Sequence, residues 1–181
     1  MEFVAVLVLA AAFLLLRKRP RRWAPRRRHA QGGRRLPAPE AGSVIAGKAW
    51  VTDGDGLQVS GYRVRFAGLD APELDQWAKR RDGTWFKHGK RVKRALIRAV
   101  GGRHVEVTVE GIDRFGRVLG CVTCDDKDVG AWLVRNGHAI AAYGDRYKEV
   151  EREARREGRG LWGHEVAFDP RYWRRRQADR G

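Results

Sequence analysis

The sequence predicts an α+β domain, a small β-barrel with helices packed against it, preceded by a membrane helix. Tyr62, Val64 and Phe66 alternate with Arg63 and Arg65, and Val105, Val107 and Val109 alternate with polar residues, the period of strands with one buried face. Val92, Ala95, Leu96, Ala99 and Val100 recur instead at helical spacing. Residues 3–16, FVAVLVLAAAFLLL, are apolar without interruption.

That apolar run opens the chain. A bilayer core asks for about 20 residues, and Met1 and snorkelling arginines at the inner end extend the shorter stretch seen here. Glu2 is the only side-chain charge before it, whereas Arg17, Lys18 and Arg19 follow it at once, the inverse of the order in a cleaved secretory signal. The positive-inside rule then makes residues 1–16 a single-pass transmembrane anchor, with residues 17–181 in the cytoplasm. The alternative is a cleaved signal and a secreted product, in which Cys121 and Cys124 would meet an oxidising compartment.

Residues 17–42 read as a disordered basic linker: ten Lys or Arg and no acid stand between positions 17 and 35. Such a run can contact anionic headgroups. Removing those ten cations and Glu2 leaves residues 36–181 at +7 of the formal +16. The folded part is therefore basic in its own right and favours polyanions, nucleic acid or anionic lipid. The length of 181 residues suits one domain, expected over residues 43–165.

Within it, about five strands are expected, over 44–51, 56–60, 62–66, 105–109 and 117–123. The first helix, carrying Val92 to Val100, ends at Gly101-Gly102. A second begins near Asp128, with Val129, Trp132 and Leu133 on one face and Gly137 as its C-terminal cap, and a third runs from about Asp145 to Gly158. Residues 166–181 form a basic, aromatic tail that either packs on the barrel or adds phosphate contacts.

Three motifs carry the chemistry. VTDGDG at 51–56 puts Asp53 and Asp55 on a glycine-rich turn, RFAGLDAPE follows at 65–73, and DRFGR stands at 113–117. Alone, a DGDG turn describes a solvated turn, and an arginine on a strand describes surface charge. In this order and spacing the three resemble the staphylococcal nuclease (thermonuclease) family, over about Val44 to Trp162.

The resemblance implies a five-stranded OB-type β-barrel with about three α-helices and a Ca²⁺-dependent nuclease that hydrolyses DNA and RNA with little sequence specificity. Cleavage of the P–O5′ bond to leave 3′-phosphate ends, with preference for single or frayed strands, is implied likewise. Asp55 and Asp70 match the family's metal-ligating carboxylates, the Ala71 carbonyl matches a third ligand, and Asp53 lies just outside that shell. Hard oxygen donors of this kind select Ca²⁺ or another hard divalent ion. Glu73 resembles the general base that activates the attacking water. Arg65 and Arg117 match the arginines that hold the scissile phosphate. Arg114 stands where a phosphate contact is expected, and Phe115 and Tyr143 where family members place rings near the nucleotide, with core packing the alternative for Phe115.

Two positions depart from the family pattern. Gly56 stands where a Thr or Ser is usual, removing a hydroxyl that braces the metal loop, and Ala71 stands where a Thr is usual. The segment LDQWAKRRDGTWFKHG after Glu73 is a basic, Trp-bearing loop that either seats a nucleic acid strand or is flexible. Cys121 and Cys124 lack the partner pair of a zinc site and read as reduced packing residues, and His88, His104, His138 and His164 show no ligand spacing. A monomer is expected. The competing reading is a nucleic-acid-binding module of the same fold with weak or no catalysis, and the presence of Asp55, Asp70, Glu73, Arg65 and Arg117 together favours the enzyme.

Overall fold

The computed structural model of the chain describes residues 36–179. The expected membrane helix at 1–16 and nearly all of the linker fall outside them. Among the described residues no helix is long and apolar enough to cross a membrane.

In chain order the elements are β1 (Val44–Lys48), β2 (Trp50–Val51), β3 (Gly56–Val59), β4 (Tyr62–Phe66), β5 (Leu69–Asp70), β6 (Trp77–Lys79), β7 (Trp85–Lys87), α1 (His88–Val100), β8 (His104–Ile112), β9 (Val118–Cys124), β10 (Lys127–Asp128), α2 (Val129–Arg135), β11 (Ile140–Ala141), α3 (Lys148–Arg156) and α4 (Pro170–Ala178). The main sheet runs β1-β8-β9-β4-β3-β2, with β10 on β9. Only the β4–β9 pair in it is parallel.

Strands β1 and β2 lie at opposite edges of that sheet, yet Ala49 alone separates them. The sheet therefore has to curl until its edges approach, giving a half-barrel consistent with an OB-type fold. A single strand was expected over 44–51. The chain turns at Ala49 instead, whose N–H donates to the Arg103 carbonyl (2.9 Å) and whose carbonyl accepts from the Gly102 N–H (2.9 Å). Splitting that strand and adding β10 gives the main sheet seven strands where five were expected, and β5–β11 and β6–β7 form two further pairs.

The alternation read from the sequence is the alternation of burial. Leu57, Val59, Val64, Phe66, Val105, Val107, Val109, Val118 and Val122 point inward, and α1 lays Val92, Leu96 and Val100 over them. Each such side chain contributes about 1.5–3 kcal/mol of burial. Helix α1 stops at Gly101, whose N–H donates to the Ile97 carbonyl (2.8 Å). Asp128 caps α2 by accepting from the Ala131 N–H (2.9 Å), and the Tyr147 hydroxyl donates to the same carboxylate (3.1 Å), tying the start of α3 to the start of α2.

Two stretches carry more structure than their composition suggested. The loop after Glu73 contains the β6–β7 hairpin, closed by a turn in which the Arg80 N–H donates to the Thr84 carbonyl (3.0 Å). The tail contains a fourth helix: the Asp169 carboxylate accepts from the Arg171 N–H (2.7 Å) and Pro170 occupies the first turn.

Candidate active site

A cavity of ≈ 890 Å³ opens at one end of the curled sheet. Its walls come from the turn between β2 and β3, the inner edge of β4, the segment after β5, the turn between β8 and β9, the segment after β11, and α4. Nine of the ten residues singled out in the sequence line it: Asp53, Asp55, Arg65, Ala71, Glu73, Arg114, Phe115, Arg117 and Tyr143. The tenth, Asp70, lies directly beneath, bonded to Arg65.

The floor is a pair of buried carboxylates bridged by a guanidinium. Arg65 Nη2 stands 2.8 Å from Asp55 Oδ2 and 2.9 Å from Asp70 Oδ1. Asp70 is 0% exposed because β5 pairs with β11 above it, Ile140 opposite Asp70. Burial drives the Asp55 carboxyl up to about 7; Arg65 pulls it down, while Asp53 and Asp70 push it further up. Burial thus outweighs the attraction of Arg65, and Asp55 is costly to ionise without a further positive charge beside it.

Backbone geometry holds these groups in place. The Asp55 N–H donates to Asp53 Oδ1 (3.3 Å), which folds the Asp53 carboxylate back over the turn. A Cβ at position 56 would stand 2.6 Å from that same oxygen, so the hydroxyl residue usual at this point would displace Asp53, and Gly56 is the residue that permits this arrangement. Glu73 is seated by a reciprocal pair: its N–H donates to Gln76 Oε1 (3.2 Å) and its carbonyl accepts from the Gln76 N–H (2.9 Å). A Cβ at Gly89 would collide with the Glu73 carbonyl, so glycine there lets α1 pack against the Glu73 backbone.

On the opposite wall, Asp113 organises the turn between β8 and β9. Its Oδ1 accepts from the N–H groups of Phe115 (2.8 Å) and Arg117 (2.9 Å), and its Oδ2 accepts from Arg117 Nε (2.7 Å). Burial opposes ionisation of Asp113, but those N–H groups and the guanidinium outweigh it and hold the carboxyl below its usual range. Arg117 is thereby aimed while part of its donor fork stays free. Phe115 is 60% exposed, which removes core packing as its role, and the Arg114 guanidinium lies 4.8 Å from its ring centroid. Tyr143 is 68% exposed with φ 58°.

Arg174, on α4, is the participant the sequence reading missed. Its guanidinium donates to Asp70 Oδ2 (2.6 Å), Asp70 Oδ1 (3.2 Å) and Glu73 Oε1 (2.9 Å). Asp169-Pro170 signals a helix start, yet the sequence holds nothing that says which arginine of the run enters the cleft. Including Asp113 and Glu110, five carboxylates and four arginines line a cleft with Asp70 beneath it, on a chain whose formal charge is +16. A phosphodiester entering there gains from an added cation, and hard carboxylate oxygens suit a hard divalent one.

A family model described as staphylococcal nuclease homologue matches residues 63–164, more than half of the chain. The chain belongs to that family. Among curated proteins it is similar to a probable staphylococcal-like nuclease of rice, CAN2, 36% identical over 120 residues, covering 64% of this chain and 30% of that protein. The micrococcal nuclease of Shigella flexneri is 33% identical over 144 residues, covering 69% and 77%. Protein ParB of Escherichia coli is 32% identical over 174 residues, covering 81% and 93%. The chain therefore spans under a third of the rice protein and most of the two bacterial ones. The match of the staphylococcal nuclease homologue family takes in Arg65, Asp70, Glu73 and Arg117, whereas the Asp53–Asp55 turn and α4 lie outside it.

Proposed function

We propose that this chain is a metal-dependent phosphodiesterase, an endonuclease that hydrolyses DNA and RNA by attack of water on phosphorus. The observation that carries the proposal is the convergence of Asp55, Arg65, Glu73 and Arg117, drawn from three separated segments, in one carboxylate-rich cleft. The names of the bacterial and plant relatives, micrococcal and staphylococcal-like nuclease, agree with it.

Asp55 and Asp70 would hold a hard divalent cation, Ca²⁺ first among them. Among the described residues no third acid, His or Cys forms a ready cluster with them, so the Ala71 carbonyl and water complete the shell, with Asp53 behind it. Such a cation, when bound, offsets phosphate charge and makes coordinated water more acidic. Glu73 takes the proton from the attacking water. Arg65 and Arg117 gather the charge that builds on the phosphoryl oxygens, while Arg114 contacts phosphate and Phe115 and Tyr143 flank the nucleotide.

Arg174 competes with the cation for Asp70. Replacing it by alanine is expected to tighten Ca²⁺ binding about tenfold, because the guanidinium hold on a buried ligand no longer has to open. Calorimetric titration of the nucleic-acid-free protein checks this; an unchanged affinity would take Asp70 out of the ligand set. The same clamp on Asp70 and Glu73 favours the second reading, a nucleic-acid-binding module with little catalysis. Cleavage of labelled single-stranded DNA by the full chain in Ca²⁺, and its loss in EDTA, separates the two: tight binding without cleavage across several divalent ions would establish the module.

A further inference from the structure

Beyond the cleft, a second cavity of ≈ 380 Å³ lies between the β6–β7 hairpin and α4, lined by Trp77, Trp85, Phe168, Trp173, Arg176 and Gln177. We infer that this aromatic and cationic surface is a second binding site, which takes the unpaired bases of a nucleic acid strand leaving the cleft; the inference rests on the cleft being a nucleic-acid site.

The hairpin register explains the surface. Trp77 pairs with Lys87, Lys79 with Trp85, and Ala78 with Phe86 between them. Because successive side chains on a strand point to opposite faces, one face carries two tryptophans and two lysines in a diagonal pattern and the other carries Ala78 and Phe86. Ala78 is buried, and Phe86 packs edge-on against His88 and His164, at 5.6 and 5.0 Å between centroids, so the second face is the one fastened to the body. The Trp and Lys face is left outward, with Trp85 50% exposed and Lys87 Nζ 5.6 Å from the Trp77 ring.

The opposing wall is held rigidly. Gln76 Nε2 donates to the Phe168 carbonyl (2.6 Å), the Lys79 N–H donates to the Val166 carbonyl (2.8 Å), and Lys79 pairs with Glu165 (2.7 Å). These contacts seat α4 so that Trp173 faces the aromatic cavity while its neighbour Arg174 enters the cleft. One helix thus joins the two cavities, and a strand bound in the first runs on toward the second.

Stacking on indole rings tolerates any base, which suits a lining dominated by aromatic rings, and Arg176 in the lining and Lys87 over the Trp77 ring supply cations for the phosphates. Paired bases present no free face to such rings, so duplex gains little. Trp and Lys together also suit a membrane interface, but the concave walls and the helix shared with the cleft favour nucleic acid.

The test uses the full chain in EDTA with a fluorescent oligothymidine of about twelve nucleotides, a length within the range of single-strand sites on OB-type folds. Trp77→Ala and Trp85→Ala are each expected to weaken its binding about tenfold, with Trp85→Phe retaining most of the affinity and a dinucleotide confined to the cleft binding all variants alike. Wild-type affinity for the oligonucleotide in both alanine variants overturns the inference. So does loss of binding to phosphatidylserine-containing vesicles without loss of oligonucleotide binding, which would assign the surface to lipid. If the oligonucleotide binding depends on the tryptophans while wild-type protein with Ca²⁺ leaves all DNA intact, the nuclease reading fails, the cleft remains a nucleic-acid site without cleavage, and the surface stands as a binding site.

Discussion

Glu73→Gln is expected to lower turnover on single-stranded DNA by about 10²–10⁴-fold, and Arg117→Ala by about 10²–10³-fold, with both proteins still folded. The Glu73 side chain is partly exposed, and its seat depends on its own backbone groups and Gln76, which the substitution leaves in place. Gln keeps an oxygen for Arg174 but cannot take a proton from water. For Arg117, the Asp113 carboxylate retains the two backbone donors that define the turn after the guanidinium is gone. Both losses should appear in kcat more than in KM, because each group acts on charge or protons that move only in the transition state. Single-turnover cleavage and thermal melting of the two variants provide the check. Full activity in both, with unaltered melting, would move the chemistry to other residues.

Much of this site was legible because it is built from short motifs at fixed offsets. The DGDG turn, the 65–73 segment and DRFGR each bring their residues to the cleft through local geometry, so naming the motif names the neighbours. The main strands and the first three helices were legible for the same kind of reason: Val105, Val107 and Val109, or Val92, Leu96 and Val100, state their buried face by spacing alone. What stayed hidden depends on contacts made at long range. Nothing local in residues 44–51 says that Ala49 will bond to the turn between α1 and β8 and split the strand. The hairpin announced itself weakly, through Asp82-Gly83 between two Trp-bearing triplets, and its basic turn hid it. Arg174 meets Asp70 across more than a hundred residues, and its neighbours Arg175 and Arg176 are chemically identical to it. The exposure of Phe115 likewise depends on where the turn between β8 and β9 sits, which an aromatic residue alone does not disclose.

Asp55→Asn is expected to raise the melting temperature of the dication-free protein at pH 8, and to remove the further rise that Ca²⁺ gives the wild type. Burial is the largest cause of the Asp55 carboxyl standing at about 7; Arg65 works against it, and the charges of Asp53 and Asp70 reinforce it. In the unfolded chain the same carboxyl titrates near 3.8. The folded protein therefore holds this proton more tightly than the unfolded chain does. The associated stability is fully present below pH 3.8 and is lost as pH rises through about 7. By pH 8 the metal-free wild type has lost stability on the order of a few kcal/mol at this one residue. Asn carries no charge to desolvate, still accepts from Arg65, and escapes that loss, so the gain should shrink as the pH is lowered from 8 toward 5. In the wild type a bound dication supplies the missing compensation, worth about 3 kcal/mol at a hundredfold excess over Kd. Melting of both proteins at pH 5 and 8, in EDTA and in Ca²⁺, reads all four combinations. An Asn variant less stable than wild type at pH 8 in EDTA would mean that Arg65 already neutralises Asp55 and no ion is called for there, and an undiminished Ca²⁺ response would exclude Asp55 as a ligand.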